Sequence, residues 1–72
     1  GLRLEGCRVV DIALGEVGVV SGIVDNPSQQ LLEVTSSDGS VFLVPNVDAI
    51  VVSFDVDARI VRTSLPAGIM DL

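Results

Sequence analysis

Short runs of aliphatic residues, separated by glycine, proline and acidic residues, recur along the whole chain. Val, Ile and Leu dominate these runs, and β-branched side chains suit a pleated sheet because their restricted χ1 torsion costs little there. The runs predict six strands, over Arg3–Asp11, Glu16–Asp25, Leu31–Ser36, Ser40–Val44, Ala49–Asp55 and Ala58–Thr63. We therefore expect an all-β protein, a small closed or partly open β-barrel of about six strands.

Glycine and proline mark the bends of this predicted barrel. Gly18 and Gly22 lie inside the longest β-rich segment and predict a bulge or sharp bend of the kind that closes small barrels. The dipeptide Asp38-Gly39 predicts a hairpin with a type I′ turn, which needs positive φ at both central residues. Pro45 is expected to end that hairpin.

Apolar residues on both faces of several strands raise a question about the surface. Adjacent pairs occur at Val9-Val10, Val19-Val20, Leu31-Leu32 and Val51-Val52, and alternation places Ile50, Val52 and Phe54 on one face. One core in a domain this small cannot bury both faces. Either the strands twist between two sheets, as in barrels, or part of the surface is a contact patch.

The chain of 72 residues is one domain, spanning residues 1–72. A domain this short buries only about 60% of the surface of its unfolded chain, so we expect a thin stability margin. The final segment, Leu65–Leu72, contains Pro66 and Gly68 and is too short and broken for a stable helix.

The sequence lacks the residues that most enzymes use. It has no His and a single Cys, Cys7, so no intrachain disulfide is possible and a reducing compartment is expected. Asp55-x-Asp57 is weighed as a carboxylate pair and as an acidic turn, and the turn is favoured because no Gly and no distal Glu complete a calcium loop. Gly15-x-x-Gly18 lacks the Lys-Ser/Thr of a phosphate loop. We predict no catalytic residues, no cofactor and no metal.

The net charge of the chain bears on the kind of partner that it can bind. Ten acidic residues against four Arg and no Lys give a net charge of −6. Because nucleic-acid affinity comes largely from basic residues on phosphates, we predict no direct nucleic-acid binding. The charge either keeps an apolar domain in solution or favours a basic partner. No apolar run approaches the ~20 residues of a membrane helix, and no secretion signal is visible, so a cytoplasmic protein without a membrane segment is expected.

Three segments, in order, resemble the PRC-barrel domain family, and in particular its ribosome maturation factor branch, RimM. They are Leu4-Glu5-Gly6-Cys7-Arg8-Val9-Val10-Asp11, then Val41-Phe42-Leu43-Val44-Pro45-Asn46-Val47, then Phe54-Asp55-Val56-Asp57-Ala58-Arg59-Ile60-Val61 followed by Leu65-Pro66-Ala67-Gly68-Ile69-Met70. The likeness covers essentially the whole chain. The loop Asn26–Gln30 departs from it, because the usual Gly-Ala type of turn is missing.

The resemblance implies the C-terminal domain of a longer protein that carries a further, N-terminal barrel domain. Such proteins assist assembly of the head of the small ribosomal subunit and ribosomal RNA processing, and dock on the basic ribosomal protein S-nineteen. Two alternatives stay open: a PRC-barrel interaction or regulatory domain of another branch, such as a photosynthetic reaction-centre type, and a subdomain of an enzyme whose catalytic residues lie elsewhere.

Two stiff segments that follow strands are the predicted docking patch. Its residues are Pro45, Asn46, Val47, Leu65, Pro66, Gly68, Ile69 and Met70. Both segments place apolar side chains where a lone soluble domain usually carries polar ones. Asp48 and Asp71 lie close in sequence and could steer a basic partner. The alternative is that the second segment plugs the open end of the barrel through Leu65 and Ile69.

Overall fold

The computed structural model of the chain describes residues 4–69. Within that range it consists of six β-strands joined by turns, without an α-helix. The strands are β1 (Arg8–Asp11), β2 (Gly15–Asp25), β3 (Gln30–Thr35), β4 (Val41–Pro45), β5 (Val51–Asp55) and β6 (Ile60–Thr63). The all-β prediction is confirmed.

All six strands belong to one sheet, in the order β4-β3-β2-β1-β6-β5. Each neighbouring pair is antiparallel except β1 and β6, which run parallel with Arg8 opposite Ile60 and Asp11 opposite Thr63. The first and last strands of the described range are therefore neighbours inside the sheet, and β4 and β5 form its edges.

The short link between the two edge strands requires the sheet to curl. In a flat sheet β4 and β5 would lie five strand spacings apart, about 24 Å. They also point in the same direction, so the link from Pro45 to Val51 would have to span the sheet diagonally. Six extended residue steps reach at most about 22 Å. The sheet closes on itself until its edges approach, and because the hydrogen-bonded order stops at β4 and β5, the barrel is partly open.

Bulges in β2 produce this curl. The register of β2 against β3 shifts between Val20 and Gly22, and its register against β1 shifts opposite the Val9/Val10 step. Such bulges increase the local twist and bend the strand. The bend predicted from the glycines of β2 is confirmed.

The barrel interior holds nine buried apolar side chains: Cys7, Val9, Val17, Val20, Leu32, Val34, Phe42, Val44 and Val61. Leu4, Ile23, Ile50, Val51, Phe54 and Leu65 pack against them from the rims. Cys7 is fully buried, as expected for a small apolar residue, although it lies just before β1.

Strands β1 and β6 begin later than predicted because the backbone before each of them turns in the left-handed region. Gly6 has φ 86°, so β1 begins at Arg8 instead of Arg3, and residues 1–3 lie outside the described part of the chain. Arg59 has φ 56°, so β6 begins at Ile60 instead of Ala58. A positive φ is incompatible with strand geometry, which explains both boundaries.

The predicted turn type of the β3–β4 hairpin is wrong, although the hairpin itself is present. Gly39 has φ 89°, but Asp38 is not among the residues with positive φ, so the turn is not type I′. The Gly39 N–H donates to the Ser36 carbonyl at 3.0 Å, and the Ser36 N–H donates to the Ser40 carbonyl at 2.8 Å. This is the three-residue connection in which only the last loop residue is left-handed.

The prediction that Ile50, Val52 and Phe54 share one face is wrong at Val52. Ile50 and Phe54 pack against the core, but Val52 is 48% exposed, and Val51 packs inward instead. The register between β5 and β6 shifts between Val51 and Ser53. A one-residue bulge moves the following side chains to the opposite face, which alternation along the sequence cannot show.

A candidate docking groove at the end of strand β1

Asp11, the last residue of β1, holds two separate segments together. Its side chain is 3% exposed. One carboxylate oxygen, Oδ1, accepts hydrogen bonds from the Thr63 hydroxyl at 3.0 Å and the Leu65 N–H at 2.7 Å. The other, Oδ2, accepts from the Ala13 N–H at 3.0 Å and the Leu14 N–H at 3.1 Å. A buried carboxylate is stable only when its oxygens are satisfied in this way.

These hydrogen bonds decide the charge state of the Asp11 side chain. Burial raises the pKa of the carboxyl, but the donors from Leu65, Ala13, Thr63 and Leu14 outweigh burial and hold the pKa below its usual value of 3.8. Hydrogen bonds to the charged form favour ionisation. Asp11 is therefore an anion at neutral pH, with its charge directed at backbone donors instead of solvent.

The two segments held by Asp11 form the walls of an open groove of about 430 Å³. One wall is the β1–β2 turn, with Asp11, Ala13 and Leu14, and the other is residues 65–69. Ile12 and Leu14, on the turn, are 69% and 63% exposed, which makes them the most exposed large apolar side chains of residues 4–69. We call the turn Ile12–Leu14 and residues 65–69 together the C-terminal groove; Ala13 and Leu14 line its cavity, and Ile12 lies beside them on the same turn.

The C-terminal segment of the predicted patch lines this groove. Leu65 packs against the barrel core, so this residue plugs the barrel as the alternative proposed. Pro66 and Gly68 are exposed, and Ile69 is half-buried on the groove wall. Met70 lies outside the described residues. The segment thus combines one anchoring side chain with an exposed wall.

The other predicted segment lies outside the groove. Pro45 ends β4 opposite Leu31, and Asn46 is bonded to Gln30 through both its backbone N–H (2.9 Å) and its side-chain amide (2.8 Å). The Val47 carbonyl accepts from the Ile50 N–H at 2.9 Å. The Ile50 carbonyl in turn accepts from the Ser64 N–H at 2.8 Å. These hydrogen bonds connect the two predicted segments through Ile50.

Sequence reasoning missed Asp11, Ile12 and Leu14. The strand pattern places Ile12-Ala13-Leu14-Gly15 between the first two predicted strands and assigns it no other role. Two large aliphatic residues in a short turn that also follows an Asp are the signal that could have indicated an exposed apolar element. The buried partners of Asp11, by contrast, come from residues 52 and 54 positions away.

The motifs considered above as catalytic or ligand-binding sites have structural roles. Asp55 accepts the Ala58 N–H at 3.0 Å in the β5–β6 turn, so the Asp55-x-Asp57 motif is a turn. Gly15 and Gly18 belong to β2 and not to a strand-to-helix loop. Residues 4–69 contain no group of three or more His, Cys, Asp or Glu side chains that could hold a metal ion. Nor does this range include a helix long and apolar enough to cross a membrane.

Known proteins share this partly open six-stranded barrel. A RimM protein of Pseudomonas aeruginosa, named for 16S ribosomal RNA processing, has a crystal structure that superposes with a TM-score of 0.79. The match has 26% identity over 89% of this chain and 42% of that one. The fold class is therefore that of a PRC-barrel.

Sequence comparison identifies the family within this fold class. The family model of the RimM PRC barrel domain matches residues 2–69, and the chain belongs to this family. Ribosome maturation factors RimM of Corynebacterium diphtheriae and Corynebacterium efficiens are 41% and 36% identical to it, each over 97% of the chain. The chain spans 42% and 41% of the length of these two relatives. The match is to the RimM branch of the PRC-barrel proteins.

Proposed function

We propose that this chain is the protein-binding module of a ribosome maturation factor and that it assists small-subunit assembly and ribosomal RNA processing in the bacterial cytoplasm. It acts by docking on the basic ribosomal protein S-nineteen, the partner implied by the family resemblance. It performs no catalysis. Its relatives are more than twice as long, and a second domain of the full-length protein, a barrel preceding this one, contacts RNA.

The observation that carries this proposal is the pair of exposed side chains on the C-terminal groove. Ile12 and Leu14 expose more than 60% of their surface on a turn that Asp11 fixes by two backbone hydrogen bonds. Exposed apolar side chains on a rigid support are the usual anchors of a protein interface, because little conformational freedom is lost on binding. A net charge of −6 adds attraction for a basic partner.

Calorimetric titration of the chain with purified S-nineteen, at low and at moderate salt, tests this proposal. We expect binding that weakens as salt rises. Leu14→Asp should weaken binding by at least about tenfold, because an anchor is lost, while unfolding free energy changes by less than about 0.5 kcal/mol. Undetectable binding of the folded, unsubstituted chain at both salt concentrations would refute the proposal.

A matched control separates the groove from general surface hydrophobicity. Val56 is 57% exposed in the β5–β6 turn, outside the groove. Val56→Asp adds the same charge and removes a comparable apolar side chain, so it should leave the affinity nearly unchanged. Equal loss of affinity in the two variants would show that the groove is not the docking site.

A further inference from the structure

The outward side of β2, β3 and β4 carries a second apolar surface, which we call the outer face. Its residues are Val19, Ser21, Val24, Leu31, Glu33, Thr35, Val41 and Leu43. Cross-strand pairing brings Val19 opposite Thr35, Glu33 opposite Leu43 and Val24 opposite Leu31. Half of the exposed large aliphatic side chains of residues 4–69 lie here, with Val41 55% and Leu43 45% exposed.

A polar strip runs through the middle of this apolar surface. The Thr35 hydroxyl donates to Ser21 Oγ at 2.8 Å, and the Ser21 hydroxyl lies 3.2 Å from the Glu33 carbonyl and 3.3 Å from Glu33 Oε1. The Glu33 side chain extends across β2 at Gly22, where a Cβ would lie 3.7 Å from Oε1. The strip holds the carboxylate in a fixed position on the surface.

The Glu33 carboxylate keeps most of its capacity to accept hydrogen bonds. A carboxylate offers about four acceptor sites, and Ser21 uses one. The ion pair found within residues 4–69 joins Arg8 to Glu16 at 3.7 Å and does not include Glu33. A fixed carboxylate surrounded by exposed valines and a leucine matches a cation on an aliphatic stem.

A cavity of about 680 Å³ opens next to the strip. It is lined by the polar residues Glu16, Ser21, Thr35, Ser36 and Ser37 and by Val17, Gly18 and Val19. Lysine and arginine side chains lay their methylene stems on apolar surface and keep the charged head on polar groups. The lining of this cavity supplies both: two valines, and the hydroxyl and carboxylate oxygens of its polar residues.

The cavity beside the outer face and the C-terminal groove are lined by residues that lie close together along the chain. Leu14 lines the groove and Glu16 lines the cavity, and only Gly15 separates them along the chain. A single partner protein can therefore cover both areas.

We propose that the outer face is a docking surface for an arginine or lysine side chain of a basic partner protein. The methylene stem lies on Val19 and the charged head on the strip formed by Ser21, Glu33 and Thr35. Apolar groups of the partner cover Val41 and Leu43. The inference rests on the proposed function for the identity of the partner, and it adds a specific contact area beyond the groove.

A charge-matched pair of variants tests the inference in the calorimetric titration with S-nineteen. Glu33→Gln removes the fixed carboxylate and keeps the shape of the side chain. Glu5→Gln removes one charge from an exposed residue outside the outer face. We expect Glu33→Gln to raise the Kd at least about tenfold and Glu5→Gln to raise it less than about threefold, because only the first breaks a close charge pair.

A second pair keeps the test independent of the stability of the Glu33 variant. Leu43→Ser on the outer face should raise the Kd at least about fivefold, whereas Val56→Ser, outside it, should not. Circular dichroism confirms that each variant is folded. Amide spectra of the labelled chain should show partner-induced shifts at residues 21, 33 and 35.

The outcomes separate the inference from the proposed function. If S-nineteen binds the unsubstituted chain but Glu33→Gln behaves like Glu5→Gln and Leu43→Ser like Val56→Ser, the outer face is not a docking surface and the groove alone carries the interaction. If the unsubstituted chain does not bind, both proposals are overturned. Loss of affinity in Glu33→Gln and Leu43→Ser together, with the two controls unaffected, supports the inference.

Discussion

At the scale of single residues, Asp11 combines two properties that usually exclude each other. It is charged, and it is almost completely buried. Four donors from two separate segments make this possible, since each carboxylate oxygen receives two hydrogen bonds. The same donors connect the turn after β1 to the residues after β6, so one side chain sets the shape of the C-terminal groove.

Asp11→Asn should therefore destabilise the fold by about 2 kcal/mol or more, because an amide has one acceptor oxygen and must turn its NH₂ group toward two backbone donors. Urea denaturation at neutral pH measures the effect. Asp25→Asn, at an exposed position, is the control and should change stability by less than about 0.5 kcal/mol. Similar stability of the two variants would contradict the role assigned to Asp11.

The same variant predicts a pH dependence. The pKa of Asp11 is lower in the folded than in the unfolded chain. Ionisation of Asp11 therefore stabilises the fold above the unfolded pKa of about 3.9. This stabilisation is lost as the pH falls toward the folded pKa. The stability gap between wild type and Asp11→Asn should shrink below about pH 4. Asp38, with its pKa lowered to about 2 by the Ser36 hydroxyl and by Ser40, titrates in the same window in both proteins and cancels in the comparison.

Two glycines of β2 offer another residue-scale test. A Cβ on Gly18 would lie 2.5 Å from the Thr35 carbonyl oxygen, whereas a Cβ on Gly22 would meet nothing closer than 3.7 Å. Gly18→Ala should cost about 1–3 kcal/mol, because backbone must move, and Gly22→Ala should be nearly neutral. Thermal unfolding of the two variants checks this, and equal midpoints would contradict the close approach of β2 and β3.

At the scale of elements, the sequence predicts the features that depend on neighbouring residues. It does not predict the features that depend on which strands pair. Val and Ile runs located all six strands, and Asp38-Gly39 located the hairpin. The bulge that exposes Val52 depends on the partner strand β6, and the buried role of Asp11 depends on Thr63 and Leu65. Such long-range partners leave no periodic pattern in a single sequence.

The β3–β4 hairpin provides the test at this scale. Gly39→Val should destabilise by more than about 1 kcal/mol, since φ 89° is strongly unfavourable for a β-branched residue. Gly39→Asn should cost less, because Asn tolerates positive φ. An unchanged thermal midpoint for Gly39→Val would contradict the hairpin geometry.

At the scale of the whole molecule, charge and surface composition point to proteins and not to nucleic acids as partners. Ten acidic residues face four arginines, and the two aromatic residues, Phe42 and Phe54, are buried and half-buried in the barrel. RNA-binding platforms need exposed aromatic side chains beside a basic groove. We expect no micromolar binding of this chain to ribosomal RNA at physiological salt, and a filter-binding or fluorescence titration would show otherwise.

As with the fold, the part of the candidate site that local sequence determines could be predicted, and the part that depends on strand pairing could not. The C-terminal segment could be identified because Pro66 and Gly68 interrupt an apolar run. The opposite wall of the groove, Ile12–Leu14, can be identified only from the structure, because it depends on β1 and β6 lying side by side. The positions of Pro45, Asn46 and Val47 in an interface stay a prediction.

The parallel pairing of β1 with β6 also has a consequence for how the protein is made. Residues 8–11 meet residues 60–63, so the pairing that joins β1–β4 to β5 and β6 forms only after the long segment between these residues has closed into a loop. Loop closure over such a separation is entropically costly and slows folding compared with local hairpins. During synthesis, β2, β3 and β4 can pair as they emerge, but β1 keeps one edge unpaired until translation reaches Thr63. The pairing that joins β1–β4 to β5 and β6 is therefore completed only after both of its strands have been synthesised.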